Sequence, residues 1–349
     1  MKSTVEEDVS SFYVSIAEED DDRSYSLSSD YYRQSCPSVE RIVRKMIRDV
    51  HHSRPSIAPS LIRLLFHDCF VEGCDASVLL DSDGSMISEK EAPPNLSLKG
   101  LDVIDDILIV SCADIIVLAA RESVKVAGGP RYVVETGRKD SLGAFKEAAE
   151  RWLPSPNANL SDILHVFASK GFNEQETVSL LGAHSIGITH CIFFENRLYN
   201  FSGTGKPDPE LNPEFLEELK AVCPFSAPSS SPSPHMCSGS APSLPASGNS
   251  KNKTDGVIDL SFNNEGGDAH FGTRYYRRLR LGKGVMFADQ QLTTNTKTEL
   301  WVRRYSENPA LFRADFEDAM IKLSNHGVLT GHLGQVRKSC SKVLPPDED

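Results

Sequence analysis

Arg63 and His67 stand four residues apart in the apolar run S-L-I-R-L-L-F-H-D-C-F, residues 60–70. At 3.6 residues per turn they share one helix face, roughly 6 Å apart along the axis. Leu61, Ile62, Leu64, Leu65 and Phe66 around them mark the stretch as largely buried. A guanidinium and an imidazole are costly to bury unless something receives them. A fixed cation beside a proton acceptor suits a reaction that moves a proton while negative charge develops. For the pair alone, a core histidine with a structural arginine is about the better reading. The acidic, cysteine-bearing turn behind His67 tips the balance.

That turn reads H-D-C-F-V-E-G-C-D-A-S, residues 67–77. Asp68, Asp75, Ser77 and the later Glu89 are hard oxygen donors, and Gly73 allows backbone carbonyls to turn inward. Cys69 and Cys74 can close a small ring that fixes the turn. Together they describe a calcium clamp at the end of the helix that carries His67. Without the cysteines and the glycine, a solvated acidic turn would be the better reading.

The chain has 349 residues, enough for one large domain or two lobes. A net charge of −12 argues against nucleic acid and anionic membranes as partners. The basic run R-Y-Y-R-R-L-R at 274–280 reads as a helix with a solvated face rather than an RNA-binding patch. No stretch reaches the roughly 18 apolar residues of a membrane span. Eight cysteines and sequons at Asn95, Asn159, Asn200 and Asn252 point to a secretory route. The first residues lack a basic n-region, a long apolar segment and a cleavage site, so no signal peptide is visible and the true start is read as missing.

Helix signals dominate. Val39, Ile42, Val43, Met46, Ile47 and Val50 recur at helical spacing, and Asn212-Pro213 and Asn308-Pro309 read as N-caps with proline at the first helical position. Behind Pro309, the stripe Leu311, Phe312, Phe316, Ala319, Met320 and Leu323 is core. The best strand signal is V-V-E-T at 133–136. Residues 1–28 form an acidic tail expected to be disordered, 226–254 a Ser/Pro-rich surface loop, and 344–349 a second tail. The chain is mainly α.

The segment R-L-L-F-H-D-C-F-V-E-G-C-D-A-S-V-L-L-D resembles the secreted (class III) plant haem peroxidases. Further matches follow in the family's order: S-C-A-D at 111–114, G-R-K-D at 137–140, L-G-A-H-S-I-G at 181–187, R-L-Y-N at 197–200 and A-D-Q-Q-L at 288–292. The resemblance covers residues 29–343 and implies two helical lobes clasping one haem b. It implies a monomeric enzyme of the extracellular space or cell wall that reduces hydrogen peroxide and oxidises small phenolic donors. A peroxidase-fold protein with weakened haem or calcium binding and little turnover is the alternative.

The same resemblance assigns roles. His184 is the axial ligand of haem iron, with Asp289 bonded to its other ring nitrogen and Phe66 beside the cofactor. Small Gly182, Ala183 and Gly187 would let a flat ligand approach. A zinc site from His184, His190 and Cys191 lacks the usual paired spacings. His67 is the acid–base group, Arg63 stabilises the charge that grows as the O–O bond breaks, and Asn95 orients His67. Asn95 is therefore read as a buried amide rather than a glycan acceptor, with Asn200 the better acceptor. Pro154 matches a proline at the donor-docking rim. Asp114 and Arg138 match a structural ion pair. Asp68, Val71, Gly73, Asp75, Ser77 and Glu89 form the first calcium site.

The implied bridges are Cys69–Cys74, Cys112–Cys340 and Cys191–Cys223. The family's fourth bridge needs a partner for Cys36 shortly before S-C-A-D, and the connection between V-I-D-D and V-S-C-A-D is too short to hold it. Cys36 is expected to be a free thiol; a bridge to Cys237, in the Ser/Pro segment, is the alternative. The second calcium site is expected to be weak or empty. Ser185 stands at a ligand position, but Ser261 and Gly272 fall where aspartates belong, and Asp259 and Asp268 are out of register.

Overall fold

The computed structural model describes residues 26–225, 256–261 and 271–345. The Ser/Pro segment 226–254, with Cys237 and Asn252, lies outside the described residues, as do Asp268 and most of both tails. Helices come first in number and in burial, as expected of a mainly α chain. In chain order they are α1 (Val39–Ser53), α2 (Ile57–Cys69), α3 (Leu101–Ile107), α4 (Cys112–Val126), α5 (Lys146–Trp152), α6 (Leu160–Ser169) and α7 (Glu174–Leu181). They continue with α8 (Glu195–Tyr199), α9 (Pro213–Val222), α10 (Arg274–Leu279), α11 (Phe287–Gln290), α12 (Thr296–Glu307) and α13 (Pro309–Ser324).

Capping residues set several starts. The side chains of Asn212 and Asn308 accept the Phe215 and Leu311 amides, and proline follows each where its missing N–H costs nothing. Asn173 and Glu176 form a reciprocal capping box on α7. α2 has polar residues at few positions because it packs on α4, whose residues Cys112 to Val124 are all buried. Leu64 and Leu65 are fully buried between them, and truncating either to alanine would cost about 2–5 kcal/mol.

One continuous apolar core runs from α1, α2 and α4 through to α7, α12 and α13, so the two halves share an interior. A smaller cluster of Phe194, Leu198, Leu211, Phe215, Leu219 and Ile258 surrounds the Cys191–Cys223 bridge. All three implied disulfides are present, and Cys36 is the free cysteine among the described residues. A cavity of ≈ 260 Å³ opens beside Cys36, lined also by Tyr31, Tyr32, Ile109 and Val110. Ile109 and Val110 belong to the connection between α3 and α4.

Two expectations need correcting. V-V-E-T is not a strand: only Thr136 pairs, with Ser28, through two backbone bonds of 2.9 Å. Val133 is 67 % exposed with no neighbouring strand to cover it. Ser28, inside the segment expected to be tail, is therefore joined to the fold. Among the described residues the strands are instead β1 (Ile188–His190) and β2 (Val257–Asp259), paired antiparallel.

Candidate active site

α2 delivers Arg63 and His67 to one face, both on the inner side of the helix. The Nδ1 of His67 lies 2.6 Å from Oδ1 of Asn95, and the Asn95 amide donates to the Glu89 carbonyl at 2.9 Å. Because Oδ1 accepts, Nδ1 carries the ring proton, and Nε2 holds the lone pair. Arg63 donates from Nε to that Nε2 at 3.1 Å. Its other nitrogens donate to the Ser97 hydroxyl (3.1 Å) and the Pro94 carbonyl (2.8 Å). Burial first, then the Arg63 charge, lower the His67 pKa to about 3, against the opposing bond from Asn95. Burial likewise lowers Arg63 to about 10, leaving it a cation at neutral pH. Asn95 is buried with both amide ends in use, in keeping with the orienting role and not with a glycan.

His184 follows α7 in a short 3-10 turn, Gly182–Ser185. Its Nδ1 lies 2.9 Å from Oδ1 of buried Asp289, on α11. With Nδ1 so engaged, Nε2 is the ring nitrogen left to accept, and 38 % of the side chain is accessible. Burial works against a charged imidazole here, but the charge of Asp289 and its hydrogen bond outweigh it, and the pKa of His184 is raised. The charge on each histidine's side reaches the other: His184 lowers His67, and Arg63 lowers His184. Tyr275, on α10, also donates to Asp289 Oδ1, at 2.9 Å.

The glycine before His184 does not act as expected. A Cβ on Gly182 would stand 2.3 Å from the Tyr276 hydroxyl and 2.6 Å from the Phe312 ring, so its smallness serves helix packing rather than ligand access. A Cβ on Gly187 would stand 3.0 Å from Pro59 of α2, and its φ of +99° favours glycine there. Phe66 is half-buried and stacks on Phe70 at 4.4 Å, adjoining Phe167. Pro154 is half-buried in the loop whose Pro156 carbonyl accepts the Ala288 amide, tying that loop to α11.

The acidic turn after His67 is enclosed. Asp68, Asp75, Ser77 and Glu89 are buried, and among the described residues Asp68 Oδ1, Ser77 Oγ and Glu89 Oε2 find no hydrogen-bond partner. Burial and mutual repulsion raise Asp68 well above the usual carboxylate range; burial raises Asp75 and pushes Glu89 up to about 7. Such a set fits a hard cation, which would occupy the idle oxygens and hold the carboxyls ionised. No three acidic, imidazole or thiol side chains form a metal-holding group among the described residues, so a cation here would also draw on Ser77 and on backbone carbonyls. Of those, the Gly73 carbonyl accepts the Asp75 amide and the Val71 carbonyl accepts the Lys170 ammonium at 2.5 Å, each through one lone pair. Gly73 is required sterically: its Cβ would lie 1.9 Å from the Gly327 carbonyl oxygen.

At the second site, the Ser185 hydroxyl accepts the Gly272 amide at 3.3 Å. The β1–β2 register sets Asp259 opposite Ile188, three residues past Ser185. Its Oδ1 is taken by the amide and hydroxyl of Ser261. Asp114 and Arg138 form a fully buried 2.9 Å ion pair, to which Tyr32 adds a 2.8 Å bond.

The sequence model of the family described as Peroxidase matches residues 39–308. The chain belongs to the peroxidase family. "Putative Peroxidase 48" of Arabidopsis thaliana is 62 % identical over 349 residues, covering 95 % of this chain and 86 % of that protein. Peroxidase 25 of the same plant is 40 % identical over 335 residues, and Peroxidase 5 of Vitis vinifera 37 % over 327, covering 92 % and 91 % of both partners respectively. These relatives are plant peroxidases, in keeping with the class III resemblance. Sequence reasoning missed three contacts in this peroxidase: Ser97 and Pro94 on Arg63, and Tyr275 on Asp289. Ser97 stands in the Asn95 sequon, where hydroxyls are read for glycosylation, and Tyr275 stood in a basic run read as a solvated helix.

Proposed function

We propose that this peroxidase holds one haem b between His67 and His184, reduces hydrogen peroxide to water and oxidises small phenolic donors one electron at a time. The observation that carries the reading is the pair of oppositely tuned histidines, one with a free acceptor Nε2 beside a cation, the other with Nδ1 bound to a carboxylate. His184 would ligate the iron through Nε2, with Asp289 fixing its tautomer and lending it negative charge. The haem supplies an iron that takes up two oxidising equivalents and returns them singly.

Peroxide entering the site displaces the Arg63 Nε bond and presents its proton to His67 Nε2. His67 passes that proton to the outer oxygen, which leaves as water. Arg63, anchored by Ser97 and Pro94, faces the negative charge that grows as the O–O bond breaks. Asn95 keeps His67 in the tautomer that can accept. Each turnover consumes one peroxide and leaves two singly oxidised donors, with Pro154 at the rim where they dock. Calcium held by Asp68, Val71, Gly73, Asp75 and Ser77, with Glu89 linking to the Asn95 network, would stiffen this side. Residues 29–343 form the catalytic domain, with 226–254 an inserted loop, and the disulfides suit the extracellular space or cell wall.

The test is the absorption spectrum of the full chain offered hemin. A Soret band that shifts with one equivalent of peroxide and returns on adding a phenol is expected. Protein that stays colourless overturns the proposal.

A further inference from the structure

Asp289 Oδ1 accepts two hydrogen bonds of equal length, 2.9 Å from His184 Nδ1 and 2.9 Å from the Tyr275 hydroxyl. Tyr275 is 8 % exposed, and its ring meets the His184 ring edge-on with centroids 6.3 Å apart. Tyr276 packs against it at 4.9 Å and is itself anchored by a 2.9 Å bond to the Val178 carbonyl, on the helix that leads to His184. The phenol is thus held on Asp289 from a separate helix, and against a carboxylate it can only donate.

We propose that Tyr275 is a positioning residue that sets how much negative charge Asp289 lends to His184. The inference rests on the haem reading above. A carboxylate oxygen shared by two donors divides its charge between them, so the phenol weakens the pull on the imidazole N–H. A less anionic imidazole donates less to a metal at Nε2 and favours the reduced iron.

The experiment uses the haem-loaded full chain, its Tyr275→Phe variant, a chain carrying trifluorotyrosine at position 275, and both Asp289→Asn and the double variant. Phenylalanine keeps the ring packing and removes only the hydroxyl. It is expected to raise the ferrous iron–histidine stretching frequency. At fixed potential it should raise the ferric-to-ferrous ratio about tenfold, equivalent to about 59 mV for a one-electron couple. Trifluorotyrosine, a stronger donor, should move both markers the other way, and it carries the test if Tyr275→Phe fails to retain haem. In the Asp289→Asn background, Tyr275→Phe should change neither marker. Unchanged markers in haem-loaded variants, or the same shift in that background, overturn the inference while leaving the haem reading intact. A wild-type chain that takes up no hemin overturns the haem reading itself, and this inference with it.

Discussion

On the distal side His67 is tied at Nδ1 to a neutral amide and faces a cation; on the proximal side His184 is tied at Nδ1 to a carboxylate that a phenol shares. Both imidazoles are desolvated, yet one pKa falls to about 3 and the other rises. Burial pushes both in the same direction, so the partner at Nδ1 and the nearest charge decide the outcome. A neutral imidazole with an open lone pair is a base, and an imidazole leaning on an anion is a strong metal ligand. The supports differ as well. The distal turn keeps three buried oxygens without partners, whereas on the proximal side the Ser185 hydroxyl and Asp259 Oδ1 are already hydrogen-bonded.

The largest effects should come from the histidines themselves, and they should differ in kind. His67→Ala should retain haem and lower the rate of peroxide reduction about 10²–10⁴-fold, the usual worth of a positioned acid–base group. His184→Ala should lose haem affinity first. Stopped-flow rates and hemin titration of each variant check this; similar haem loss in both would erase the distinction between the two sides.

Acid sensitivity sharpens the comparison next. The folded-state pKa of His67 lies below the ordinary 6.5, so protons bind the unfolded chain preferentially, and stability declines as pH falls from about 6.5 toward 3. For His184 the folded value is raised. Its contribution is present below 6.5 and is lost as pH rises through that raised value. In haem-free protein, NMR titration should find His184 charging above 6.5 and His67 still neutral at pH 5. In the loaded enzyme the acid limb of peroxide reduction should lie far below 6.5 and move up in Arg63→Leu, since the cation that depresses His67 is gone. A limb near 6.5 in the wild type would contradict the assignment.

Much of this asymmetry is legible in the chain before any fold is known. Arg63 and His67 are one turn apart, so local helix geometry alone puts them together, and the Cys69–Cys74 turn is equally local. Asn212 and Asn308 announce their helices because capping is a contact within four residues. His184 and Asp289 are 105 residues apart, and only the family resemblance joined them. Tyr275 and Ser97 needed the fold: a hydroxyl's partner is set by which helix packs where, and nothing in R-Y-Y-R-R-L-R says which phenol reaches Asp289. V-V-E-T has strand composition but no neighbour to pair with beyond Ser28.

Calcium removal tests the difference between the supports. A cation on the distal oxygens at 100 times its dissociation constant would add about 2.7 kcal/mol to stability. Chelation should therefore lower the unfolding temperature by several degrees and slow peroxide reduction, because Glu89 joins the same turn to Asn95 through its carbonyl. Metal analysis should find one calcium per chain. Two tightly held ions would show that the proximal side, despite its hydrogen-bonded Ser185 and Asp259, is as well supplied as the distal one.

The smallest effect expected concerns Ser97. Its hydroxyl is one of three acceptors for the Arg63 guanidinium, the others being the Pro94 carbonyl and His67 Nε2. Removing it in Ser97→Ala leaves two, so Arg63 should stay in place but be held less firmly. A hydrogen bond to a charged donor is worth about 1.5–3 kcal/mol in total, and the part felt at the barrier should lower peroxide reduction by no more than about tenfold. Because the same change removes the Asn95 sequon, the variant separates the two readings of that asparagine. If Asn95 were a glycan site, secreted protein would lose mass at that peptide. If it is the buried partner of His67, the peptide mass changes only by the missing oxygen while the rate falls.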